Sequence, residues 1–183
     1  MIGLPVILYI LFKKNPVKEL CLNKFKLSET LKKGLIIFSE MILVLIGLSI
    51  IFYLIGYSDT EKVSEIICVL SPVTIIYILI ISVTAEEIFF RGFLIDLIEK
   101  IFKKMKIFSR KKENLVKGIL IALIASALFA LPHYSYGSIV EIIGAFALGF
   151  VLAINFIKTR NLYFTILAHA IYNALVFGLC FIK

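Results

Sequence analysis

Long apolar runs separated by short polar, mostly basic stretches set the pattern of this chain. The clearest run extends from Gly34 to Tyr57, long enough for the roughly 20 residues that an ordinary membrane-spanning helix needs. A second apolar block begins near Ile66. Within it, Ser71-Pro72 predicts a helix start, with Ser as N-cap and Pro in the first turn. Nothing breaks that helix before about Phe102. Further spans are predicted at 116–132, 139–157 and 162–182, with Pro132 ending or kinking the first of them. Residues 1–12 are apolar but short, and read as a tilted or partial first helix. No repeat or second domain interrupts the pattern. The expected architecture is an all-α integral membrane protein, a polytopic bundle of about six transmembrane helices. It forms a single membrane domain over 1–183, in which 1–33 supply a short N-terminal helix and a basic loop and 71–182 the core.

Composition agrees. Of 183 residues, 61% are hydrophobic and 17% charged, and the mean hydropathy is +1.05. A soluble domain is about 45–50% apolar, and a single core of this length cannot hide the surplus from water. The net charge of +8 is therefore read as orienting the chain in a bilayer, not as a nucleic-acid footprint. Residues 13–33 hold seven basic and two acidic residues and 99–117 hold eight and two, whereas 58–65 hold one and three. The basic loops are expected in the cytoplasm. That leaves 58–65, the 133–141 turn and the C-terminus outside. Cys21, Cys68 and Cys180 are far apart in sequence, so neither a disulfide framework nor a thiolate zinc knot is expected.

Few charges remain inside the spans: Glu40, Glu86, Glu87, Arg91 and Asp96. A charge at mid-bilayer costs at least about 2.5–3.5 kcal/mol, so each needs a reason. Glu40 is expected to snorkel to the interface, and Asp96 to pair with Lys100 one turn on. Glu86-Glu87 is different. Glu87 and Arg91 are four apart and can pair. Glu86 points about 100° away, toward the face of Ser82. A carboxylate left free in this way suits a general base. A structural ion pair would need only one Glu.

The two histidines are His133, directly after Pro132, and His169, which shares a helix face with Asn173 and Thr165. Polar groups in lipid must find one another or line a cavity, so the three helices are expected to bring Glu86, His133, His169 and Asn173 together. Such a cluster can hydrolyse an acyl bond. Glu86 would take a proton from water, His133 would orient that water, and His169 with Asn173 would donate to the oxyanion. The same Glu86, His133 and His169 also form a known zinc set with a position left open for water. Metal-free activation is preferred, without a cofactor. Straight-helix arithmetic leaves one mismatch: His133 falls about 10 Å farther out than Glu86 and His169.

These residues resemble the motifs of the CAAX-protease and bacteriocin-processing (CPBP, or Abi) family. Glu86-Glu87-Ile88-Phe89-Phe90-Arg91 resembles its EExxxR motif, Phe129 to His133 its FxxxH motif, and His169 to Asn173 its HxxxN motif, in the family's order. The resemblance implies an intramembrane endopeptidase, of metallo- or glutamate type, acting on a peptide or prenylated-protein substrate. Glu86 would be the water-activating base, assisted by His133. Glu87 and Arg91 would support it, and His169 and Asn173 would form the oxyanion site. Larger members carry one or two further N-terminal spans. Two competing readings use the same cavity: a non-enzymatic membrane immunity or scaffold protein, and a proton-coupled carrier. The sequence shows no inverted repeat to favour the latter.

Overall fold

The computed structural model describes residues 21–22, 26–105 and 114–181. The expected partial helix at 1–12 lies outside them. Among the described residues the chain forms six helices and no strand, and five of the helices are long and apolar enough to cross a membrane. These are α1 (Leu27–Leu54), α3 (Pro72–Lys104), α4 (Asn114–Ala130, running on as a 3-10 turn to Tyr136), α5 (Ile139–Thr159) and α6 (Leu162–Cys180). The sixth, α2 (Glu61–Ile67), is short and has no buried residue. It occupies the segment that the hydropathy pattern leaves as a loop.

The helix ends follow local chemistry. Ser71 accepts a hydrogen bond from the Thr74 amide, with Pro72 in the first turn. Pro132 stops the regular α-helix of α4 and opens the 3-10 turn Leu131–Tyr136. That turn closes on Gly137 in the left-handed region, at φ 68°. Asn161 caps α6 by accepting from the Tyr163 amide. The start of α5 is capped twice. Ser138 accepts from the Glu141 amide at 3.1 Å. Asp59, from the α1–α2 turn, accepts from the Ser138 hydroxyl at 2.7 Å and from the Ile139 and Val140 amides at 2.6 and 3.2 Å.

The helix α3 is not a uniform α-helix. Two π-helical stretches, Ile78–Ser82 and Ile88–Leu94, flank the single α-turn Val83–Glu87. Such widened turns recur at functional sites. The last stretch of α3 buries Ile95 and Ile98 while Asp96 and Lys100 face outward and pair at 2.6 Å, as expected.

Packing is inverted relative to a soluble protein. Leu43, Leu54, Val73 and Ile80 point outward, while Glu87, Arg91, Ser126 and Thr165 are buried. Small residues let α4 and α5 approach closely, as membrane helices do. Gly149 has the Phe129 ring and the Ser126 backbone where a Cβ would stand, at 2.9 and 3.5 Å. One apolar cluster joins Ile95, Ile98, Ala122, Phe156 and Leu162. Another joins Ile37 and Met41 of α1 to Leu152 and Ala168. Glu40, expected to snorkel, accepts a hydrogen bond from the Asn155 amide at 2.6 Å, which ties α1 to α5.

Contrary to the expectation from cysteine spacing, Cys68, just after α2, and Cys180, at the end of α6, are joined by a disulfide. A separation of 112 residues hides such a pair from any local pattern.

Candidate active site

The adjacent glutamates of α3 have opposite environments, because consecutive helical residues point about 100° apart. Glu87 is fully buried. Its Oε1 pairs with Arg91 Nη1 at 3.0 Å and with His169 Nδ1 at 2.9 Å. Arg91 is equally buried. It also donates from Nη2 to the Gly149 carbonyl at 3.2 Å, and its guanidinium lies 4.5 Å from the centre of the Phe129 ring. One arginine therefore binds α3 to α4 and α5, and Glu87 binds α3 to α6.

Glu86 is half-buried and faces open space. The Ser82 hydroxyl donates to its Oε1 at 3.0 Å. Glu86, His133, His169 and Asn173 all line one cavity of about 630 Å³, enclosed by α1, α2, α3, α4, α5 and α6. The expected convergence is found: the cavity takes Glu86, His133, His169 and Asn173 from three helices. Straight α-helices do not describe these segments, because the chain widens into π-turns on either side of Glu86 and tightens into a 3-10 turn at His133.

Hydrogen bonding fixes the imidazoles. The Nδ1 of His133 faces the Phe129 carbonyl at 3.2 Å. A carbonyl only accepts, so the proton is on Nδ1 and Nε2 is left for the cavity. The Nδ1 of His169 faces the carboxylate of Glu87, and the same logic applies. Phe129 stands edge-on to His169 and tilted against His133, with ring centres 5.9 and 5.3 Å away.

Of the six residues singled out in the sequence, four line the cavity. Glu87 and Arg91 do not reach it and lie behind its wall. One cavity residue escaped the sequence reading. Glu141, in the first turn of α5, brings its Oε1 to 4.0 Å from His133 Nε2. In the sequence it passes for a loop charge at a helix start, where a carboxylate is favoured anyway. Its position eight residues after His133, at the head of an apolar run, was the available signal. Tyr136 and Tyr172 also line the cavity.

The spacing of these groups can be compared with known proteins. Residues 68–175 match the family model described as Type II CAAX prenyl endopeptidase Rce1-like. The chain belongs to this family. No curated protein and no solved structure matches it. The matched stretch of the Rce1-like chain contains all six motif residues, and it runs close to the 71–182 core expected from the motifs. Membership in the Rce1-like family implies CAAX-type endopeptidase activity in a membrane setting, with peptide or prenylated-protein substrates. As for a metal, no three His, Cys, Asp or Glu side chains among the described residues are grouped to hold one. Glu86, His133 and His169 share the cavity without being gathered around one point.

Proposed function

We propose that this chain cleaves a peptide bond inside the bilayer with water activated by Glu86. The observation that carries the reading is the sharing of one cavity by the Glu86 carboxylate and the His133 Nε2, beside a Glu87 whose charge is already committed to Arg91 and His169. Water bound between Glu86 and His133 gives one hydrogen to the imidazole Nε2 as an orienting hydrogen bond. It loses the other as a proton to Glu86 as its oxygen attacks the scissile carbonyl. The carbonyl π-electrons move onto oxygen, and Asn173 donates a hydrogen bond to that oxyanion. Glu86 then returns the proton to the amide nitrogen. The C–N bond breaks, and an acid and an amine leave.

The role of His169 carries a condition. With Nδ1–H given to Glu87, a neutral imidazole offers only a lone pair at Nε2. His169 donates to an oxyanion only as imidazolium, and Asn173 supplies that hydrogen bond whatever the charge on the ring. Glu87 and Arg91 are positioning residues: the arginine holds the glutamate and the glutamate holds the histidine. His133 is held through its Nδ1–H on the Phe129 carbonyl, and Glu141 lies across the cavity from its Nε2.

General-base catalysis contributes about 10²–10⁴ in rate. Glu86→Gln, which keeps the Ser82 contact, is expected to lower peptide cleavage by at least about 10² without changing the unfolding midpoint in detergent. Full cleavage by the purified variant removes Glu86 from the chemistry. Rescue of a cellular phenotype by the inactive variant favours the immunity or scaffold reading.

A further inference from the structure

The cavity opens toward one end of the bundle. Its floor is near mid-bundle, where Met41, Glu86, Leu152 and His169 line it. From there it runs past Leu45, Ser82 and Tyr136 to the end capped by α2, whose Thr60, Val63 and Ile67 also line it. The opposite end is closed by the cluster of Ile95, Ile98, Ala122, Phe156 and Leu162.

Two independent features mark which compartment each end faces. Residues 99–117, from the end of α3 to the start of α4, carry eight basic and two acidic residues, and residues 13–33, running into the first turns of α1, carry seven and two. Both connect to the closed end. The α2 segment over 58–65 has one basic and three acidic residues. The basic excess marks the closed end as cytoplasmic. The Cys68–Cys180 disulfide sits at the α2 end. Disulfides persist in oxidising compartments and are rare in the cytosol, so this feature places the α2 end outside.

We propose that the catalytic cavity is reached from the non-cytoplasmic face of the membrane and takes peptide segments presented on that face. The chemistry rests on the hydrolase reading above; the orientation does not. The segment α2 roofs this approach. It is held by the disulfide to α6, by Lys62 Nζ donating to the Gly137 carbonyl at 3.0 Å, and by Asp59 on the head of α5. A substrate enters beside it and meets Glu141 and His133 before Glu86.

Orientation is tested on the wild-type protein in intact cells, using a membrane-impermeant reductant followed by a membrane-impermeant maleimide mass tag. The expected result is two tags, on Cys68 and Cys180, with Cys21 tagged only after permeabilisation. A Ser135→Cys variant, at an exposed position in the 3-10 turn, should be tagged from outside without reduction. It covers the case in which the native pair is shielded. Tagging of Ser135→Cys only in permeabilised cells overturns the proposal. Substrate side is tested by comparing peptides shed into the medium, and trimmed C-termini of cytosolic proteins, between wild-type and Glu86→Gln cells. Glu86-dependent fragments of exported sequences support the proposal. Glu86-dependent trimming confined to cytosolic C-termini overturns it. No Glu86-dependent cleavage on either side overturns the hydrolase reading, and the substrate assignment with it, while the tagging still fixes the orientation.

Discussion

Replacing Arg91 with Met would remove one charge of a pair that is almost wholly sealed from solvent: Arg91 is 1% exposed and Glu87 0%. The substitution roughly conserves volume, so little of its cost comes from packing. The loss is electrostatic. Glu87 keeps its charge in a desolvated site with only the neighbouring His169 and Thr165 side chains to offset it, the Gly149 carbonyl loses its donor, and Phe129 loses the guanidinium over its face. Removing one partner of a buried pair costs about 3–5 kcal/mol, whereas replacing both partners with apolar residues of similar size is often neutral. Arg91→Met is therefore expected to destabilise by about 3–5 kcal/mol. The double variant Glu87→Leu/Arg91→Met should return to within about 1 kcal/mol of wild type. It should nevertheless stay inactive, because His169 has lost the carboxylate that holds its Nδ1 proton. Equilibrium unfolding of the purified proteins in mixed detergent gives the first two quantities, and peptide cleavage gives the third. A double variant as unstable as Arg91→Met alone refutes the charge argument. A double variant that is stable and fully active refutes the positioning role of Glu87.

Three further outcomes are expected. Desolvation works to raise the pKa of Asp59, but hydrogen bonds from Ser138, Ile139 and Val140 outweigh it and hold the carboxyl below its ordinary value. The stability that Asp59 contributes is thus present above the unfolded-state carboxylate pKa and is lost as pH falls through the lower folded value. Asp59→Ala should cost about 1 kcal/mol at neutral pH, the typical worth of a helix cap, and the difference from wild type should vanish in acid; a pH-independent difference contradicts the capping account. Gly149→Val should cost about 1–3 kcal/mol by overpacking against the Phe129 ring and the Ser126 backbone, and should reduce cleavage, because that ring touches both imidazoles; an unchanged unfolding midpoint would mean that α4 and α5 separate freely. Chelator treatment of the active protein, with metal analysis, should leave cleavage intact, and activity lost to the chelator and restored by zinc would replace metal-free activation with a metal mechanism.

Much of this arrangement was legible in the chain because it is local. Ser71-Pro72 starts α3, Pro132 ends the regular part of α4, and Glu87 meets Arg91 simply because they are one turn apart. The convergence of Glu86, His133, His169 and Asn173 followed from the cost of leaving polar groups in lipid. What escaped was set by tertiary contacts or by a second, blander explanation. The segment α2 is short and buries nothing, so no periodicity announces it. The π-turns on either side of Glu86 leave no mark in hydropathy. Cys68 and Cys180 find one another only after the bundle has formed. Glu141 looked like an ordinary carboxylate at a helix head, and only the fold turns it toward His133.

The phenylalanine at 129 has a consequence beyond packing. Its ring packs against both imidazoles and under the Arg91 guanidinium. A change that tilts this one ring therefore displaces both histidines and the arginine together, so three polar groups on three helices share a single apolar hinge.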